Sequence, residues 1–130
     1  ELKRKYSGVG NIQLIDPVYD LDVLYVLRNN CRFYIHGHSA GGTNPSLVEA
    51  MFFNCPILAY DVIYNRETTE NKAFYFRDAE QLIALLRNDN ASLLEKSARD
   101  MSEIANRRYL WEVVSRQYLE QFDLVSVKVD

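Results

Sequence analysis

Between residues 32 and 76 the chain alternates two hydrophobic patterns, and this alternation constrains its fold more than any other feature. Arg32 to His36, Pro56 to Tyr60 and Ala73 to Phe76 are compact β-type runs. Between the first two lies Pro45 to Phe53, apolar almost all round and helical in character. Asp61 to Lys72, ahead of the third run, reads as a polar loop. Strands alternating with helices imply an α/β fold: a Rossmann-like parallel sheet flanked by helices, with right-handed crossovers. In such sheets ligands bind beyond the carboxyl ends of the strands. The loop after the Phe33–His36 strand is therefore the first place to look for a site.

The flanks extend the pattern. Glu1 to Tyr6 reads as a charged helical tail closed by Ser7, Gly8 and Gly10, and Asn11 to Ile15 as a short strand. From Asp20 to Asn29, Leu21, Leu24, Tyr25 and Leu27 recur at helical spacing, with Asp20 placed to cap. Asp78 caps a further helix to about Asn88. Gln81 takes its capping-box position, and Leu82, Ile83, Leu85 and Leu86 face inward. A helix after Asn90 carries Leu94, Ala98, Met101 and Ala105 on one face. The helical tail carries Trp111, Val114, Tyr118 and Phe122, and the last residues read as a fraying end.

With 130 residues, 48% of them apolar, the chain has the size and composition of one globular domain. Its net charge of −3 argues against a domain that holds nucleic acid by overall basicity. Arg99, Arg107, Arg108 and Arg116 alternate with acids, as on a solvated helix face. Cys31 and Cys55 fit no zinc or C-x-x-C spacing, so they read as unreactive thiols in a reducing compartment rather than a disulfide framework. No apolar run approaches the ~20 residues of a spanning helix, and no basic-then-apolar signal segment opens the chain. A cytoplasmic location is expected. The opening at Glu1, in what reads as the tail of a helix, suggests a piece of a longer protein.

The chemistry concentrates in HGHSAGGTNPSLVEAMFF, residues 36–53. Pro45 fits the first helical position, and Asn44 is a preferred N-cap. Gly41 and Gly42 permit a tight turn and close approach of the backbone to a ligand. A strand, a glycine turn and the positive end of a helix can hold a phosphate, or form a plain βα turn. Glu49 falls in the apolar helix, on the face of Pro45 and Ser46, and should be buried there with its carboxylate leaning toward the loop. It can accept hydrogen bonds from sugar hydroxyls, or pair with a buried arginine. A nucleotide satisfies both halves, with phosphate on the N–H groups and ribose on Glu49. His36 and His38 lack an evident third metal ligand, so they read as donors to phosphate or sugar, or as packed structure.

Taken together, HGHSAGGTNPSLVEAM, DVIYNRE and AFYF resemble the nucleotide-sugar-binding domain of GT-B fold glycosyltransferases, of the retaining family 4 type. Within these, GGTNPSLVEA is similar to bacterial polysaccharide rhamnosyltransferases, which use dTDP-rhamnose. The resemblance covers nearly the whole chain, including the helical tail with Trp111. It implies the incomplete C-terminal half of a GT-B fold, residues 1–130 forming one nucleotide-sugar-binding domain of a two-domain enzyme. The family commonly has two glutamates eight positions apart. The second matches Glu49 and implies a hydrogen bond to ribose. The first falls at Gly41, so that acidic residue is absent. Gly42, Thr43 and Asn44 match the turn that meets the donor's sugar and diphosphate, and His38 lies at the same loop. Glu67 matches the acidic residue of the next loop, within Asn65-Arg66-Glu67, which can equally be a solvated, hydrogen-bonded loop.

The resemblance implies sugar transfer from a nucleoside-diphosphate donor to a hydroxyl of a growing glycan or lipid-linked glycan. Fixed N–H donors would stabilise the charge on the departing diphosphate. The transfer would retain configuration without a metal, and the parent protein would make peripheral membrane contact. The family's first βα units, with their basic residues, and the acceptor domain fall outside this sequence, so the chain alone should not catalyse. The competing reading is a non-catalytic α/β module that binds a nucleotide or a partner. A receiver-type switch would need an acidic cluster at a first strand end, and the sequence has none.

Overall fold

A computed structural model describes residues 1–126 of the chain, and the side chains of residues 1–124. Seven helices and three strands occur among them, in the order α1 (Leu2–Tyr6), α2 (Leu21–Asn29), β1 (Tyr34–His36), α3 (Pro45–Met51), β2 (Ile57–Tyr60), α4 (Ile63–Thr68), β3 (Phe74–Phe76), α5 (Ala79–Leu86), α6 (Ala91–Arg108) and α7 (Trp111–Ser126). The fold is mixed α/β. Its sheet has the order β1-β2-β3, and both pairings are parallel. Tyr34 registers with Ile57 and His36 with Ala59, while Leu58 registers with Phe74 and Tyr60 with Phe76. His36, Tyr60 and Phe76 therefore end their strands on one side of the sheet. The fraying end expected after α7 lies at residues 127–130, outside the described residues.

The central strand explains why its run is continuously apolar. Ile57, Leu58 and Ala59 are fully buried, as a parallel strand covered on both faces requires. Leu47, Ala50 and Met51 of α3 and Met101, Ile104 and Ala105 of α6 close over Ile57 and Ala59, with Tyr34, Tyr75 and Tyr109 at the margin. Ala98, Met101 and Ala105 bear out the inward face expected of α6, with Leu94 half-buried at its start.

Helix starts follow the sequence closely because caps are local. Asp20 accepts from the amides of Asp22 and Val23, Asn44 from Ser46, Asp78 from Gln81 and Asn90 from Leu93. Gln81 reaches back as a capping box would, but to the amide of Arg77, one residue before the cap.

Several expectations need correcting. Asn11–Ile15 is not a strand, because the three-stranded sheet offers it no neighbour and a strand exists only by pairing. Residues 61–72 are not simply a loop, since α4 forms within them. Thr68 and Thr69 donate their hydroxyls to the carbonyls of Tyr64 and Asn65, and Thr69 also bonds the Tyr75 hydroxyl at 2.6 Å. The inner side of α4 is thus polar, and no hydrophobic stripe announces it. The expected inward face of α5 holds only for Leu82 and Leu85, which are half-buried; Ile83 and Leu86 are exposed. Most of the periodic apolar residues of α2 (Leu21, Tyr25 and Leu27 among them) and the Trp111 and Tyr118 positions of α7 are also exposed, since no described element covers those stripes.

Candidate functional site

The candidate site stands at the carboxyl ends of the strands. β1 ends at His36, and the chain then crosses Gly37–Asn44 to reach α3. Gly41 has φ +91°, which an L side chain adopts only with strain. A Cβ added at Gly41 would lie 3.9 Å from His38 Nε2, so the loop folds back against the second histidine. His38, Gly41, Gly42 and Thr43 are exposed and Asn44 is half-buried. Asn44 Oδ1 takes both the amide and the hydroxyl of Ser46, at 3.0 and 2.7 Å. One of the first amides of α3 is therefore already satisfied within the protein.

His36 differs from His38. It is 4% exposed, stacks on Tyr34 at 6.2 Å and stands 6.0 Å from His38, ring centre to ring centre. Its Nε2 is buried without a hydrogen-bond partner among the described residues. Burial first, and then the charge of His38, hold its pKa below the ordinary histidine value. At neutral pH His36 is a neutral imidazole. Among the described residues no group of three His, Cys, Asp or Glu is arranged to hold a metal.

The loop is braced from β2. Asn65 of α4 is buried, and its Nδ2 donates to His38 O at 3.1 Å and Tyr60 O at 2.8 Å. Asn65 is thus a strut between the two strand ends, not a solvated loop residue. Asp61, directly after β2, accepts from Arg66 Nε and from Arg77 Nε, the latter at 2.8 Å and contributed by the residue after β3. The hydrogen bond from Arg66, assisted by Arg77, holds the Asp61 carboxyl below the usual carboxylate range. Arg66 also lies over the Tyr75 ring at 4.1 Å. Glu67 is exposed, and its carbonyl accepts from Arg108 at 3.0 Å.

Glu49 departs from expectation. Its side chain is 50% exposed rather than buried, and it is ion-paired with Arg28 in the last turn of α2. Leu47, Ala50 and Met51 bury one face of α3, and Glu49 lies off that face, exposed like Pro45. Of the two alternatives left open for Glu49, an arginine partner is the one present, though the pair is half in solvent. The structure thus brings together His36, His38, the glycine loop and Asn65, while Arg66 is turned to Asp61, Asn71 and the Tyr75 ring. Glu49 sits apart on its own pair with Arg28.

Sequence reasoning missed three charged residues here. Asp61 and Arg77 carry a usable signal, because each directly follows a β-type run and so must stand at the carboxyl edge. Arg28 carries none, since its partner lies 21 positions away on another helix.

A cleft of about 370 Å³ opens near the amino ends of the strands, lined by Arg32, Asn54, Pro56, Leu94 and Arg99 among others. Its arginines are paired, Arg32 with Asp89 at 2.7 Å and Arg99 with Glu95 at 3.8 Å. It is distinct from the glycine loop. No family model and no curated protein matches the chain.

Proposed function

We propose that this chain is the donor-binding part of a glycosyltransferase that moves a sugar, L-rhamnose from dTDP-rhamnose, to a hydroxyl of a growing cell-surface polysaccharide. The proposal takes the α/β unit as the incomplete C-terminal half of a GT-B fold within a longer two-domain enzyme. The observation that carries it is a glycine loop and two imidazoles at the carboxyl end of a parallel sheet, with Arg66 and Arg77 held on Asp61 at the same end. Loops there can approach a ligand with backbone, and cations there can face phosphate.

In this reading the turn at Gly41, Gly42, Thr43 and Asn44 receives the diphosphate and sugar, and His38 donates a hydrogen bond to them. His36, neutral and buried, backs His38 at 6.0 Å, ring centre to ring centre. Arg66, held on Asp61 at the same end of the sheet, leaves that pair for the phosphate. Glu49 exchanges Arg28 for the ribose hydroxyls when nucleotide binds. The chemical step needs stabilisation of charge on the departing diphosphate, which fixed N–H donors and cations supply. The acceptor, a glycan or lipid-linked glycan, meets the other domain at the inner face of the cytoplasmic membrane. Among the described residues no helix is long and apolar enough to cross a membrane.

One observation favours a second reading, a non-catalytic binding module. Asp61, Arg66, Arg77, Glu49 and Arg28 are all paired within the protein, as structural charges are. Replacing Glu49 with alanine in the full-length protein separates the two. The donor reading expects at least tenfold weaker nucleotide-sugar affinity with the fold intact. Unchanged affinity would refute Glu49 as the ribose ligand.

A further inference from the structure

Two thiols far apart in sequence meet at the opposite end of the sheet from the glycine loop. Cys31 follows α2 and leads into β1, and Cys55 leads into β2. Their Sγ atoms are 3.6 Å apart, in hydrogen-bond contact and not covalently joined. Cys31 is half-buried and Cys55 buried. The cleft lined by Arg32, Asn54 and Pro56 uses the sequence neighbours of both cysteines.

We propose that Cys31 and Cys55 are a redox modification site, a dithiol that a low-molecular-weight disulfide such as oxidised glutathione converts reversibly to an intramolecular disulfide. The inference does not depend on the donor reading. Only a short movement of one or both side chains separates the contact from a bond of about 2 Å, and the two chain segments are already held by the β1–β2 ladder at Tyr34 and Ile57.

The steps balance. Cys31 loses its proton to water, and its thiolate attacks one sulfur of the small disulfide. A mixed disulfide forms and one small thiolate leaves. Cys55 then loses its proton and attacks Cys31 Sγ, forming the protein disulfide and releasing the second small thiol. The two protein thiols give up two electrons and two protons, and the oxidant becomes two thiols. Burial, then the charge of a neighbouring Cys31 thiolate and its hydrogen bond, push the Cys55 thiol up to about 12. Cys31 is half-buried and Cys55 buried, so the small disulfide meets Cys31 first.

The consequence lies in what the bond encloses. The segment from Cys31 to Cys55 contains β1, the whole glycine loop and α3, including every candidate residue from His36 to Glu49. Cys31 Sγ also contacts Arg28 O at 3.1 Å, in the turn that presents Arg28 to Glu49. Oxidation fixes both roots of the loop-bearing segment.

The test is intact-mass and thiol analysis of the folded chain equilibrated with oxidised glutathione. The wild type should lose about 2 Da and both reactive thiols, reversibly with dithiothreitol. Cys55→Ser should stop at a glutathione adduct on Cys31, and Cys31→Ser should remain largely unmodified. Hydrogen exchange across residues 31–55 should slow on oxidation of the wild type. A wild type that keeps two free thiols, holds a stable glutathione adduct, or forms its disulfide only after unfolding in urea would overturn the proposal.

Discussion

The two histidines show how one residue type takes opposite roles two positions apart. His36 faces the covered side of the sheet with Ala59 and loses its solvent, whereas His38 lies out on the loop. Because burial lowers the His36 pKa, the unfolded chain binds the proton more readily than the folded one. Stability should therefore fall as pH drops through about 6.5, the unfolded value, and level off once the folded imidazole also protonates. An NMR titration of the imidazole checks this. The midpoint of His36 is expected below that of a model histidine, and a midpoint at or above it would contradict the assignment of burial as the cause.

Gly41 gives a second residue-scale prediction. The space beside it accepts a methyl group, so only its φ of +91° opposes substitution. Gly41→Ala should cost about 1–2 kcal/mol of stability, read from urea unfolding, through backbone strain alone.

At the scale of elements, the strut from α4 is the part of the site most exposed to test. Asn65→Ala removes two hydrogen bonds at once and leaves His38 O and Tyr60 O without that donor. A loss of about 2 kcal/mol or more is expected by urea unfolding, because buried polar groups left unpaired carry their full desolvation cost. Loss of the cap at Asn44→Ala, for comparison, should cost about 1 kcal/mol.

The same element shows what the sequence makes legible. Asp20, Asn44 and Asp78 were readable as caps because a cap and its amides lie within three residues. β2 was readable because burial on both faces leaves a continuous apolar run, and β1 and β3, with Ile35 exposed and Phe74 and Tyr75 half-buried, because short aromatic and β-branched runs favour strands. α4 was not, because its buried face is made of Asn65, Thr68 and Thr69, satisfied by hydrogen bonds rather than by contact with apolar neighbours. Glu49 was misplaced for a related reason: the periodicity of α3 shows that most of the helix is covered but not where the cover stops. The Cys31–Cys55 contact depends on the β1–β2 register, which spacing alone does not supply.

At the scale of the whole molecule, ion pairs tie the sheet's carboxyl edge and the end of α6 to α4. Arg107 and Arg108 both reach Glu70, and the Tyr109 hydroxyl donates to Thr68 O at 3.1 Å. The Tyr109 hydroxyl thereby gives a partner to the last carbonyl of α4, which has none within the helix, while Glu70 stands two residues past it. The Arg107 hydrogen bond holds Glu70 below the usual carboxylate range, as Arg66 holds Asp61. Both carboxylates have folded values below their unfolded ones, so their stabilisation is present above the unfolded values and is lost as pH falls through the folded ones. The midpoint of thermal unfolding should drop below about pH 4, and Asp61→Asn should flatten that limb. An unchanged acid limb in the variant would mean the Asp61 pairs contribute nothing measurable.

The donor reading is tested most directly by a two-dimensional amide NMR titration with dTDP, UDP, GDP and ADP, run on this chain and on the full-length protein. The account predicts shifts centred on Gly41 to Asn44 and on Glu49, largest for dTDP, with Arg28 responding as Glu49 changes partner. Absence of shifts at the glycine loop with every nucleotide, in the full-length protein as well as in the chain, would contradict it.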